Sequence, residues 1–342
     1  MEMKQLGRTG LQVSRLGFGG IPIQRVDEAA TRALAERLLA CGVNFIDTAR
    51  GYTISEKLLG SALEGMRDKF VLATKSMART KDAMASDIQT SLANLRTGFI
   101  DLYQVHNPSM AELDALTAPG GALEALQEAK AAGKIRHIGL TAHSAAVFER
   151  ALTLDWVETV MFPYNIVETQ GEELIRQAAE RGVGFVCMKP LAGGALEEAN
   201  LALRFIAANP AVTVIIPGMR EIREIDENLA AVEDASPLTQ AELERIEAIR
   251  RELGTQFCRR CDYCQPCAAG VPISGVFLME GYLKRYGLRD WALQRYAGFA
   301  KKAEDCVKCG ACEARCPYQL PIREMLERCG KALADAKAQQ NA

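Results

Sequence analysis

Eight short apolar runs, each followed by a stretch of helical periodicity, fill the chain from its start to about residue 250, and this alternation limits the fold more than any other feature. The runs are Arg15 to Phe18, Asn44 to Ala49, Phe70 to Lys75, Asp101 to His106, His137 to Thr141, Thr159 to Tyr164, Val183 to Lys189 and Thr213 to Ile216. Between them lie patterns such as Glu28 to Cys41, where Ala30, Leu34, Leu38 and Cys41 share one face and Gly42 supplies the stop. Gly133 and Gly182 repeat that punctuation. Strands alternating with helices imply right-handed parallel crossovers. An open doubly wound sheet is one solution, but no G-x-G-x-x-G follows the first strand, as a dinucleotide-binding sheet of that kind requires. A closed (β/α)8 TIM barrel, an α/β fold, is therefore the expected architecture. Lys4 to Val13, with turn residues Gly7 and Gly10, reads as a hairpin ahead of the first barrel strand.

Thr239 to Leu253 reads as a charged amphipathic helix, after which strand periodicity ends. Gly254 is the expected boundary, with a barrel over 1–253 and a small, mainly helical domain over 254–330 that includes an aromatic-rich helical stretch from Val276 to Phe299. The Ala-, Lys- and Gln-rich tail over 331–342 reads as a frayed helix or a disordered end.

Eight of the eleven cysteines fall in two tight groups within that second segment. Cys258, Cys261, Cys264 and Cys267 form a C-x2-C-x2-C-x2-C run, and Cys306, Cys309, Cys312 and Cys316 with Pro317 form C-x2-C-x2-C-x3-C-P. Two-residue spacers let one loop place three thiolates on three irons of a cubane, while the fourth cysteine serves the partner cluster. Two [4Fe-4S] clusters in a ferredoxin-like domain are expected, with Cys258, Cys261, Cys264 and Cys316 on one and Cys306, Cys309, Cys312 and Cys267 on the other. Cys267 departs most from the pattern, since two residues rather than three precede it and Pro266 stands before it. Structural zinc sites are the alternative, but they separate their cysteine pairs by a longer loop. Cys41 and Cys187 read as core residues and Cys329 as a helix residue.

The composition excludes several classes. A formal net charge of -2, spread along the chain, leaves no basic stripe for a nucleic acid. The start MEMKQLGRTG lacks an apolar signal region, and no run of eighteen apolar residues occurs, so a soluble cytoplasmic protein without membrane partners is expected.

The segments KQLGRTGLQVSRLGFGG, NFIDTARGYTISEKLLGSAL, VLATKS, DLYQVHN and IPGMREIREIDENL occur in order on successive strands, and over about residues 4 to 230 the chain resembles the aldo-keto reductase family. The resemblance implies a catalytic set of Asp47, Tyr52, Lys75 and His106. The same four stand out without it, because each lies at or just beyond the C-terminal end of the second, third or fourth strand, where barrels build their sites. A phenol with an unperturbed pKa of about 10 is a weak acid unless a cation lies beside it. Lys75 would supply that cation, Asp47 would hold Lys75, and His106 would orient the substrate oxygen, leaving Tyr52 as acid in reduction and base in oxidation.

The resemblance also implies NADPH or NADH, with departures. Where family members grip the nicotinamide amide, this chain has Thr141, Ala142 and Met161, with His143 next in line as a replacement donor. Where they clamp a 2'-phosphate it has Gly218 and Glu224, with Arg220 and Arg223 nearby. Asn228 matches the adenine contact, and Lys189 brings a second cation to the mouth. The expected activity is hydride transfer between a nicotinamide cofactor and a small carbonyl or alcohol, with the clusters passing single electrons to a redox partner protein. The alternatives are a reductase with structural or redox-sensing clusters, and a nucleotide-sensing subunit without turnover.

Overall fold

The computed structural model describes residues 1–340. Among the described residues ten strands are formed: β1 (Met3–Gln5), β2 (Gln12–Ser14), β3 (Gly17–Gly19), β4 (Phe45–Asp47), β5 (Val71–Ser76), β6 (Ile100–His106), β7 (Ile135–Thr141), β8 (Thr159–Pro163), β9 (Gly184–Met188) and β10 (Val214–Ile216). β3 to β10 pair in sequence order, all parallel, so each of the eight expected strands is present. The Ile215 amide donates to Arg15 O at 2.9 Å and the Gly19 amide to Pro217 O at 2.9 Å, which joins the two ends into a barrel. β1 and β2 form the expected antiparallel hairpin.

The helices alternating with the barrel strands are α1 (Glu28–Ala40), α2 (Ser55–Ala62), α3 (Lys81–Asn94), α4 (Met110–Thr117), α5 (Ala122–Ala131), α6 (Ala145–Ala151), α7 (Glu172–Glu180), α8 (Ala199–Ala207) and α9 (Ile222–Glu233). α1 begins on an Asp27 side chain that accepts from the Ala30 amide and ends at Cys41, with Gly42 at φ 73°. Cys41 is thus a half-buried cap residue rather than a core residue, whereas Cys187 is fully buried as expected.

Period-two alternation divides the barrel side chains between two cores. Ile46, Leu72, Tyr103, Val105 and Leu140 point outward into the layer shared with the helices. Phe45, Ala73, Leu102, Met161, Val186 and Val214 fill the interior, joined by Leu6 and Val13 of the hairpin. Gly7, at φ 52°, brings the hairpin so close that an added Cβ would stand 2.2 Å from Gly184 N. Asp47, Lys75 and His106 share the inward phase of Phe45, Ala73 and Leu102, nearer the C-terminal ends of their strands. The alternation that fills the barrel with apolar side chains therefore also aims three polar ones at its mouth.

The remaining helices are α10 (Gln240–Gly254), α11 (Ile273–Lys284), α12 (Arg289–Ala297), α13 (Ala311–Ala314) and α14 (Ile322–Gln340). The chain divides into two compact units, 1–192 with 197–238 and 193–196 with 239–342. Thr239 caps α10 through a capping box with Glu242, and α10 groups with the second unit. The aromatic-rich stretch is two helices separated at Gly287, φ 62°. The expected frayed tail is corrected: α14 continues through Lys331 to Gln340, because Leu333 and Ala336 extend the buried stripe begun by Ile322, Met325, Leu326 and Cys329. Residues 341 and 342 lie outside the described residues. Among the described residues, no helix is long and apolar enough to cross a membrane.

Candidate active site and cysteine cavities

At the C-terminal mouth of the barrel, Lys75 Nζ donates to Asp47 Oδ2 at 2.5 Å and to Thr48 O at 2.8 Å, and Gln104 Nε2 donates to Asp47 Oδ1 at 3.2 Å. Both ions are almost fully buried. Burial pushes the Asp47 carboxyl up and the Lys75 ammonium down, and their mutual attraction opposes both shifts. Tyr52 follows β4 in a tight loop in which its amide donates to Ala49 O at 3.0 Å. That loop is zipped onto β5, with the Thr48 amide bonded to Ala73 O at 2.9 Å and the Arg50 amide to Lys75 O at 3.0 Å. Lys75 Nζ consequently lies 4.8 Å from the centroid of the Tyr52 ring. The His106 ring meets Tyr52 edge-on, with centroids 6.3 Å apart and planes at 86°. The four residues converge as the sequence led one to expect, with the Tyr52 ring near both a fixed cation and an imidazole.

Two residues around this set were not singled out from the sequence. Gln104 shares the inward phase of β6 and steadies Asp47. Asn107, in left-handed backbone at φ 48°, ties neighbouring loops: its amide bonds Thr141 O and Oγ1, each at 3.0 Å, and its Oδ1 accepts from the His143 amide and lies 3.1 Å from His143 Nδ1. Thr141 and His143 are thus gathered about Asn107, while Ala142 and Met161 are buried.

The other expected nucleotide contacts are more dispersed. Lys189 follows β9 at φ 54°, and its carbonyl accepts from Asn165 Nδ2 at 2.9 Å. Gly218 bridges to Gly19, and an added Cβ there would stand 2.8 Å from Pro22 Cγ, so close packing already accounts for this glycine. Glu224 accepts from the Arg220 amide at 2.6 Å and the Glu221 amide at 3.1 Å, closing the N-terminus of α9 with a carboxylate. Arg220 pairs with Glu221 at 3.5 Å and Arg223 with Glu227 at 2.8 Å. Asn228 is buried on α9.

In the second unit the eight cysteines ring two cavities. One is lined by Cys258, Cys261, Cys264 and Cys316, the other by Cys267, Cys306, Cys309 and Cys312, and Ile273 lines both. This is the crossed grouping expected from the spacing. Arg315 gives it a physical cause, since its guanidinium donates to Cys264 O at 2.9 Å, Pro266 O at 2.8 Å and Gln265 O at 3.2 Å, drawing the neighbouring Cys316 onto the first loop. The two loops share a backbone pattern: Arg260 and Asp262 flank Cys261 with φ of 57° and 61°, and Lys308 and Gly310 flank Cys309 with φ of 54° and 80°. Left-handed residues on both sides of the middle cysteine turn each loop around its cavity.

The donor set fits a cubane. Four thiols surround each cavity, one for each of four irons, and the Arg260 amide points at Cys258 Sγ from 3.4 Å. Among the described residues, no three His, Cys, Asp or Glu side chains meet at a single-ion position. Burial pushes the Cys258 thiol up to about 11 and the Cys264 thiol up to about 12, and the positive charge of a bound metal would favour their thiolate form.

A family model described as "Aldo/keto reductase family" matches residues 15–201 and 197–251, and one described as "4Fe-4S dicluster domain" matches residues 257–321. L-galactose dehydrogenase of Arabidopsis thaliana is 29% identical over 307 residues, covering 73% of this chain and 94% of its own length. The 6-dehydroglucose reductase of Novosphingobium aromaticivorans is 30% identical over 227 residues, covering 58% and 72%. The holo form of aldo-keto reductase AKR11C1 from Bacillus halodurans superposes with a TM-score of 0.63 at 28% identity, covering 73% of this chain and 96% of that one. Barrel, convergent mouth residues and matched segments agree, and the chain belongs to the aldo/keto reductase family of oxidoreductases, with a C-terminal 4Fe-4S dicluster domain.

Proposed function

We propose that the barrel reduces a small carbonyl compound, or oxidises the corresponding alcohol, with Tyr52 as proton donor and acceptor. The observation that carries this reading is the Lys75 ammonium held against the Tyr52 ring by Asp47 and Thr48. A cation so fixed eases loss of the phenol proton to a substrate oxygen and stabilises the phenolate that remains. His106, edge-on to Tyr52, hydrogen-bonds the same oxygen and orients the carbonyl. Asp47 does not exchange the proton, since its two oxygens are engaged by Lys75 and Gln104. A nicotinamide cofactor supplies or accepts the hydride when bound. Thr141 and His143 would face its carboxamide end, and Lys189, Arg220 and Asn228 its phosphate and adenine end. The two sugar-directed relatives support a hydroxylated carbonyl or alcohol as substrate class.

The cysteine cavities would hold two [4Fe-4S] clusters in the crossed arrangement, and the Ile273 wall common to both supports their acting as adjacent one-electron carriers toward a redox partner protein. Reduced thiols in this number suit the cytoplasm. The experiment is anaerobic: iron and sulfide are counted, then NADH and NADPH are titrated while cluster absorbance is followed, in wild type and in Tyr52→Phe. Carbonyl turnover lost in Tyr52→Phe with iron content unchanged is the expected result, and equal turnover in the two proteins removes the role of Tyr52. Cluster bleaching by reduced nucleotide supports electron flow, and its absence favours structural or sensing clusters.

A further inference from the structure

Behind the catalytic loop, on the outward side of β5, lies a buried carboxylate that the proposed chemistry does not use. Glu56, on α2, is 2% exposed. One of its oxygens accepts from Thr74 Oγ1 at 2.8 Å and Ser91 Oγ at 2.7 Å, the other from Asn94 Nδ2 at 3.0 Å and Arg50 NH1 at 3.1 Å. Four donors from three elements converge on one side chain. Arg50 continues the network to Asp87 on α3 at 3.3 Å, and Asp87 accepts from Ser76 Oγ. The residues bonded in this way are the chain neighbours of the active site: Thr74 and Ser76 flank Lys75, and Arg50 sits between Asp47 and Tyr52 and bonds Lys75 O through its amide. A carboxylate buried this deeply needs such partners to remain charged, and its field then crosses one strand of low dielectric.

We propose that Glu56 is a positioning residue, whose carboxylate locks the Tyr52 loop to β5 and keeps the Lys75 ammonium charged beneath Tyr52. The proposal rests on the role assigned to Lys75 in the function proposed above. Asp47 faces Lys75 from inside the barrel, where burial opposes its charge, so a second negative charge on the outer side of the strand adds to the field that retains the proton. The titratable groups around Lys75 are Asp47 from β4, Tyr52 from the following loop and Glu56 from α2, with His106 of β6 beyond Tyr52. Around Glu56 they are Arg50, Asp87 behind it and the phenol of Tyr103 on β6, which burial keeps neutral and which lies 3.3 Å from Ser91 Oγ.

The test requires no substrate. Full-length protein carrying lysine labelled with carbon-13 at the ε position is titrated by NMR, the Lys75 signal being assigned by its loss in Lys75→Met. Glu56→Gln should lower the Lys75 midpoint by about one unit, and Glu56→Asp should restore it. Arg50→Met removes the one cation bonded to Glu56 but leaves the donors Thr74, Ser91 and Asn94, which keep the carboxylate charged, and should move the midpoint upward. A midpoint unchanged in Glu56→Gln, or shifts of the same direction in Glu56→Gln and Arg50→Met, overturn the proposal, because general loosening would move both alike. Should Glu56→Gln fail to fold, Thr74→Val, which strips one donor from the carboxylate and favours its neutral form, should lower the midpoint, and an unchanged midpoint there overturns the proposal. Turnover of 4-nitrobenzaldehyde with NADPH is followed in parallel. Loss of the Tyr52 role in that assay, with the midpoint shifts intact, would refute the function proposed for the site and leave the Glu56–Lys75 coupling standing.

Discussion

Lys75 Nζ and Asp47 Oδ2 stand 2.5 Å apart inside the barrel, with Lys75 2% and Asp47 3% exposed, so neither ion has water to fall back on. Removing Asp47 leaves the buried Lys75 charge without its directly bonded counter-ion, whereas removing both leaves only a packing change. Asp47→Asn should therefore cost about 3 to 5 kcal/mol in unfolding free energy. The double variant Asp47→Leu with Lys75→Met should recover most of that loss while remaining inactive. Denaturant unfolding and NADPH turnover, measured side by side on the three proteins, separate the two effects. A double variant no more stable than Asp47→Asn would contradict the claim that the pair's main cost lies in its separation.

At the opposite end of the barrel, Glu158 precedes β8. Burial would raise its carboxyl, but His137 at 2.7 Å, Lys130 at 2.6 Å and the Ile138 amide outweigh burial and hold it at about 2. A carboxylate whose pKa is depressed on folding stabilises the native state fully above its ordinary value of about 4.3, and the contribution is lost as pH falls toward the native value. Partial exposure reduces the effect to about 2 kcal/mol. Hydrogen-exchange protection of the β7 and β8 amides, corrected for intrinsic rates, should fall between pH 5 and pH 3 in wild type and much less in Glu158→Gln. Parallel pH dependence in the two proteins would show that the bonds to Glu158 do not stabilise the fold.

Much of this architecture was legible because two signals agree along the sequence. Short apolar runs marked each barrel strand, and glycines at Gly42, Gly133 and Gly182 ended the helices with positive φ. Asp47, Lys75 and His106 could be read as a site because strand ends in a barrel share one face, so residues far apart in sequence converge without further information. The nucleotide end was less readable, since Glu224 is engaged in capping its own helix and Gly218 in packing on Pro22, roles that depend on contacts sequence spacing does not encode. The tail was misread because a stripe of Leu333 and Ala336 is too small to register beside its many Lys and Gln residues. Arg315 and Glu56 were missed for a related reason: each works through bonds to distant backbone or side chains, and nothing in their local sequence marks them.

Glu224 also bears on nucleotide choice. Its carboxylate closes the N-terminus of α9, the end of a helix that otherwise favours an anion, and Arg220 and Arg223 are engaged with Glu221 and Glu227. An added 2'-phosphate would meet negative charge there, so NADH should bind more tightly than NADPH. Glu224→Gln keeps an acceptor for the Arg220 amide while removing the charge, and should improve NADPH binding relative to NADH by about three- to tenfold. Fluorescence titration of both nucleotides against the two proteins gives the ratio, and a ratio that does not change places the 2' end of the nucleotide elsewhere.

The crossed cysteine grouping makes unequal demands on the two cavities. Cys316 belongs by sequence to the second run but lines the cavity of the first, held there by the three bonds from Arg315 to carbonyls 264 to 266. Cys267 makes the reverse crossing, with its amide bonded to Gln265 Oε1 at 2.7 Å. Cys316→Ser should then alter the spectrum of the cluster carried by Cys258, Cys261 and Cys264, and Cys267→Ser that of the other, after anaerobic reconstitution and reduction of each protein. Arg315→Gln keeps all eight thiols but loosens the crossing, and should reproduce a weaker form of the Cys316→Ser defect, with the other cluster retained. If Cys316→Ser instead perturbs the Cys306, Cys309 and Cys312 cluster, each run serves its own cluster. The Arg315 bonds would then be a loop staple without influence on ligation.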